Sequence, residues 1–98
     1  MSLAKSTNSR DSSSVSRDVA FEILDCRRRR QVLRYLLETE EETAELYDLT
    51  RQIAAWENDS TPDAVTSEQR MRVYTALKQS HLPKMDDTDV IDFDGNRG

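Results

Sequence analysis

The sequence is poor in nearly every residue that marks a specialised scaffold. One cysteine in 98 residues, Cys26, excludes an intramolecular disulfide. A single histidine, His81, beside that single cysteine leaves no ligand set for a structural zinc ion. The two glycines both fall at the C-terminal end, at positions 95 and 98, so there is no glycine-rich loop to cradle a phosphate. No apolar run approaches the roughly 20 residues that span a bilayer. The first residues show no apolar segment of the secretory type. A cytoplasmic protein with no membrane contact is expected. Carboxylates are plentiful but read as solvated surface, and His81 has no evident Ser or Cys nucleophile partner. The sequence therefore points away from an enzyme, and suggests no cofactor, metal or small-molecule substrate.

What is abundant is charge. Charged residues make up 34% of the chain and hydrophobic ones 36%, which suits one small domain with a compact core. The net charge of −5 is unevenly spread. Residues 37–65 hold nine acids against Arg51, and residues 85–98 hold five against Arg97. Residues 19–36 instead hold five arginines against Glu22 and Asp25. Residues 66–84 set Arg70, Arg72, Lys78 and Lys84 against Glu68 alone. Uniform acidity would argue against a nucleic-acid partner, whereas segregated charge leaves room for a basic face on an acidic body.

Along the chain, residues 1–15 are rich in Ser, Thr, Asn and Lys and offer almost nothing to bury, so a disordered tail is expected there. A first helix is expected from an N-cap at Ser16, with Val19, Ala20, Ile23 and Leu24 as its apolar side. Asp25 is the expected N-cap of a second helix carrying Val32, Leu33, Leu36 and Leu37. After a polar connection at 38–43, Leu46, Leu49, Ile53 and Trp56 form the single stripe of a third helix. Residues 58–65 read as a loop around Pro62.

The segment 66–81 carries the most information. Thr66 and Gln69 have the spacing of a capping box. Val73, Tyr74 and Leu77 share one side of the helix, and its polar and basic residues lie largely elsewhere. Pro83 is expected to end it, because proline has no N–H to donate and restricts the residue before it. A short helical turn at 84–88 and a strand at 90–94 follow, then the turn chemistry of residues 95–98, which suggests a hairpin. The order of elements predicts a mainly α fold with a short β-hairpin wing. That is a winged helix-turn-helix over 16–98, with a three-helix core plus an extra N-terminal helix.

Four stretches carry a resemblance in the same order: Ile23-Leu24-Asp25-Cys26-Arg27-Arg28-Arg29-Arg30-Gln31-Val32-Leu33-Arg34-Tyr35-Leu36-Leu37, Gln52-Ile53-Ala54-Ala55-Trp56-Glu57-Asn58-Asp59, Arg72-Val73-Tyr74-Thr75-Ala76-Leu77 and Gln79-Ser80-His81-Leu82-Pro83-Lys84-Met85. Together they resemble a small, largely uncharacterised winged helix-turn-helix domain of halophilic archaea, over about residues 16–97. The resemblance implies DNA binding, and the acidic composition suits a high-salt cytoplasm. The second strand of the implied wing would be short or lie beyond Gly98. The loop at 58–65 is longer than the turn of the simplest helix-turn-helix.

These readings combine into an expectation of a sequence-specific transcriptional regulator that inserts the 66–81 helix into a major groove of double-stranded DNA. Gln69, Arg70, Arg72, Thr75 and Gln79 would face the bases, since Arg suits guanine and Gln suits adenine. Lys78 and Lys84 would meet phosphates, and Arg97 an adjacent minor groove or phosphate. Arg28 and Arg29 are further candidates for the DNA backbone. For the whole arginine run at 27–30, acidic residues of this chain, DNA and a second subunit are competing partners. A homodimer is expected, with the first helix around residues 19–24 as its contact. The rival reading is a winged helix that binds protein and no nucleic acid. Trp56 reads as core and, less well, as a dimer contact. Cys26 and His81 read as structural, with a redox-sensitive Cys26 as the alternative.

Overall fold

A computed structural model describes residues 1–5, 17–41 and 43–94. In chain order the elements are β1 (Ser2–Lys5), α1 (Arg17–Leu24), α2 (Arg27–Glu38), β2 (Ala44–Glu45), α3 (Leu46–Glu57), a 3-10 turn at Pro62–Ala64, α4 (Ser67–Ala76), a π-helical turn at Leu77–His81, α5 (Leu82–Asp87) and β3 (Ile91–Phe93). The chain is mainly helical. Its small antiparallel sheet has the order β2-β1-β3.

The central strand corrects the expectation of a disordered tail over 1–15 for its first five residues. Leu3 pairs with Ala44 on one side and Phe93 on the other, and all three are buried. The Met1 carbonyl accepts the Leu46 N–H at 2.9 Å, and Asp94 accepts from the Ser2 N–H and hydroxyl at 3.0 and 3.1 Å. A four-residue segment with one large apolar side chain has no periodicity of its own to read. Its neighbours specify it as a strand. Residues 6–16, and with them the proposed cap at Ser16, lie outside the described residues.

Helix α3 and the α4 region follow their expected apolar stripes, whereas Leu24 of α1 and Leu37 of α2, expected on the apolar sides, are 45% and 73% exposed. Leu46, Leu49 and Ile53 of α3 are buried against Val32 and Leu36 of α2 and Val73 and Leu77 of the α4 region, in one core cluster. Trp56 closes that stripe only in part: it packs against the core and carries the Arg34 guanidinium 4.0 Å above its ring. The N-cap of α2 is Cys26 rather than Asp25, and its side chain makes no capping bond. In the loop after α3, Asp59 takes a positive φ of 51°, a left-handed position that Asp tolerates better than most residues.

Pro83 does not end the last long helix. The Leu82 N–H reaches back five residues to the Leu77 carbonyl, which opens a π-turn. Pro83 then falls in the first turn of α5, directly after the π-turn, within one continuous helical run. Ile91 and Phe93 of β3 are fully buried on either side of Asp92, the alternation of a half-buried strand. The expected hairpin turn at 95–98, with Arg97, lies outside the described residues. Among those residues, the antiparallel neighbour of β3 is β1.

Candidate nucleic-acid interface

Helix α4 is fixed at its start by a complete capping box. The Thr66 hydroxyl accepts the Gln69 N–H at 3.1 Å, and the Gln69 side-chain carbonyl accepts the Thr66 N–H at 3.0 Å. Val73 and Leu77 point into the core. Helical geometry therefore turns Glu68, Arg72, Thr75 and Gln79 outward in a row spaced i, i+4, i+7, i+11. These four line one shallow groove with Met71, Ala76 and Ser80. Arg72 is 69% exposed and pairs with Glu68 at 2.9 Å on its own helix.

Arg70 lies on the flank of this row. Its guanidinium sits 5.6 Å from the Tyr47 ring and 3.5 Å from the Ser67 hydroxyl. Tyr47, Ser67, Arg70, Met71 and Tyr74 surround a cavity of about 290 Å³. Lys78 stands 5.9 Å from the Tyr74 ring, on the same outer side.

Of the ten proposed contact residues, Arg72 and Thr75 of α4 and Gln79 of the π-turn share the outer row, Lys78 stands beside it, and Arg70 is half-buried on its flank toward Tyr47. Gln69 is on the same helix, but its side-chain carbonyl is committed to the cap. Lys84 is ion-paired with Glu22 of α1, and this pairing holds the Glu22 carboxyl below its usual pKa. Arg28 and Arg29 are turned inward at the α1–α2 junction, and Arg97 lies outside the described residues.

That junction explains the arginine run. Arginines in a first helical turn sit badly with the positive end of the helix dipole unless negative charge is near. Arg29 donates to the Ile23 and Glu22 carbonyls at 3.3 and 2.9 Å, and Arg30 donates to the Leu24 carbonyl. The open carbonyls at the end of α1 thus receive the arginines at the start of α2. Arg28 makes a two-pronged pair with Glu57 of α3 at 2.7 and 2.8 Å, which raises the guanidinium pKa further. Among the described residues, none of the acids at 38–45 takes part in these contacts.

Sequence reasoning missed one contact altogether. The Cys26 sulfur lies 3.9 Å from His81 Nδ1, across 55 residues of sequence. The pair shares a polar cavity of about 340 Å³ with Arg27, Arg28 and Glu57. Burial, then the charges of Arg29 and Arg28, hold the His81 pKa below its usual value. Lone residues so far apart leave no local signal, and only the packing of the α1–α2 junction on the π-turn brings them together. Tyr47 was also missed; it is one exposed aromatic among the polar positions of α3. Among the described residues no helix is long and apolar enough to cross a membrane.

Residues 21–98 match the model of DUF7344, described as a domain of unknown function, and the chain belongs to that family. No curated protein and no solved structure matches the chain.

Proposed function

Because that family carries no assigned function, we propose one from the surface itself: the chain is a winged helix-turn-helix regulator that reads double-stranded DNA with α4, as a homodimer. One observation carries the reading. The outer row of α4 presents Arg72, Thr75 and Gln79 on one side of a helix whose other side is locked into the core. Arg and Gln there have the donor and acceptor geometry to read guanine and adenine edges, and the Thr75 methyl suits thymine. Arg70 and Lys78 flank the row and supply charge for phosphates. In this reading α3 and α4 are the helix-turn-helix pair, and the 58–65 connection is its lengthened turn. The β2-β1-β3 sheet takes the place of the wing sheet, with the N-terminal strand β1 beside β3.

The rival reading, a winged helix that docks on protein, draws on Met71. It is 62% exposed and lines the same groove, beside the row. Selection from a randomised duplex pool, followed by sequencing, separates the two. The DNA reading predicts enrichment of a two-fold symmetric motif, in low salt and in molar potassium chloride. No enrichment with folded protein, verified by circular dichroism, would favour the protein-binding alternative.

A further inference from the structure

Helix α1 has one side fastened to the body and, among the described residues, one side unpartnered. On the inner side Ile23 is buried, Glu22 pairs with Lys84, and Arg29 and Arg30 hold the carbonyls of residues 22–24. On the outer side lie Arg17, Phe21 and Leu24 at i, i+4, i+7, with Asp25 beside them. The Asp25 N–H donates to the Phe21 carbonyl at 2.9 Å, so Asp25 continues the same helical turn. Phe21 is 64% exposed and Leu24 45%. Arg17 and Asp25 make no ion pair among the described residues.

This pattern is self-complementary in one direction. Two copies of α1 laid antiparallel, with the two-fold axis at Phe21, bring each ring against its symmetry mate. The same register places Arg17 of each copy opposite Asp25 of the other, twice. Leu24 then lies along the aliphatic stem of the partner's Arg17. A parallel pairing would instead set arginine against arginine and aspartate against aspartate. We infer that the outer face of α1 is an isologous interface that takes a second copy of this chain, antiparallel, centred on Phe21. This deepens the dimeric part of the function proposed above and does not depend on the DNA contacts.

One eight-residue helix offers far less than the roughly 800 Å² per partner of a standard interface. The free dimer is therefore weak. Two half-sites on one duplex strengthen it by raising the effective concentration of the second copy.

Disulfide trapping tests the register without DNA. In a Cys26→Ser background, Phe21→Cys places two thiols at the axis, and Asp18→Cys moves them away from it. Leu37→Cys puts a thiol at another exposed apolar position, on α2. Mild oxidation is expected to cross-link the Phe21→Cys protein at least tenfold faster than either of the others. Equal rates, or a faster Leu37→Cys protein, would overturn the interface.

Charge reversal gives a second readout, by sedimentation at low salt. Arg17→Asp is expected to weaken self-association at least threefold, and adding Asp25→Arg to restore it. A double variant no better than the single one would also count against the proposal. Both substitutions agree with the α1 dipole, so helicity is kept. Because neither assay contains DNA, failure here leaves half-site binding by α4 to be judged separately.

Discussion

Two arginine clusters of this chain meet opposite surroundings. At the α1–α2 junction, Arg28, Arg29 and Arg30 reach a carboxylate of α3 and the open carbonyls of α1. On α4, Arg70 and Arg72 reach a tyrosine ring, a serine hydroxyl and one glutamate of their own helix. The denser cluster in the sequence is the internal scaffold. The sparser one is the exposed surface. What decides the role of an arginine is the set of acceptors within reach of its side chain. A helix end supplies up to four carbonyls without intrahelical partners. The outer side of a capped helix supplies none, so its guanidinium groups remain open to an external partner.

The largest expected effect tests the outer cluster. Arg70→Ala with Arg72→Ala removes two potential base or phosphate contacts, each worth about 1–3 kcal/mol where it reads a base. Duplex affinity, measured by fluorescence anisotropy, is expected to fall about 100-fold. The melting temperature should barely move, because an exposed i,i+4 pair contributes about 0.3–0.5 kcal/mol. Preserved affinity would remove α4 as the reading helix and with it the contrast between the clusters.

The inner cluster predicts the reverse. Arg28→Ala leaves a partly buried Glu57 without its two-pronged partner, and a hydrogen bond to a charged group contributes about 2 kcal/mol. For a domain of about 100 residues that corresponds to a fall of about 10 °C in melting temperature. Duplex affinity per folded molecule should stay within twofold. A variant that melts normally but loses DNA would move Arg28 to the binding face.

The same cluster should govern a pH response. Burial, and then Arg29 and Arg28, hold His81 below its ordinary value of 6.5. The unfolded chain therefore takes up a proton first as pH falls. The stability this group contributes is complete above about 6.5 and is lost as pH falls through the folded value. His81 is the only histidine, so its ring protons give one resolved NMR titration. Its midpoint is expected below 6.5 and closer to 6.5 in Arg28→Ala. A wild-type midpoint at or above 6.5 would mean that the ring is not in contact with the inner cluster.

The sequence was legible where a residue's role is set by near neighbours. The Leu46–Leu49–Ile53 stripe and the Thr66–Gln69 box are contained within a turn or two of helix, and both are present. It was less legible where the partner is distant. Leu3 becomes a central strand only because Ala44 and Phe93 flank it. Pro83 was expected to end a helix, but the i→i−5 bond to Leu77 shifts the register ahead of it. The candidate site divides in the same way. Helical spacing alone places Arg72, Thr75 and Gln79 on one side. The inward turn of Arg28 and Arg29 depends on Glu57 and on the end of α1, which no local pattern reports.

The smallest expected effect concerns Glu68, the one acid in the outer row. Its pair with Arg72 is exposed on both sides, so Glu68→Gln should change stability by only about 0.3–0.5 kcal/mol, the usual worth of such a pair. Its effect on binding is larger than its effect on folding. The carboxylate lies in the row proposed to face DNA, where it repels phosphate and holds the Arg72 guanidinium. Removing its charge is expected to raise duplex affinity about threefold in low salt. The gain should shrink as ionic strength rises and the screening length contracts to about 3 Å near 1 M salt. Phosphate repulsion acts only if this face meets the duplex, so unchanged affinity in low salt would place Glu68, and the groove it lines, away from the DNA.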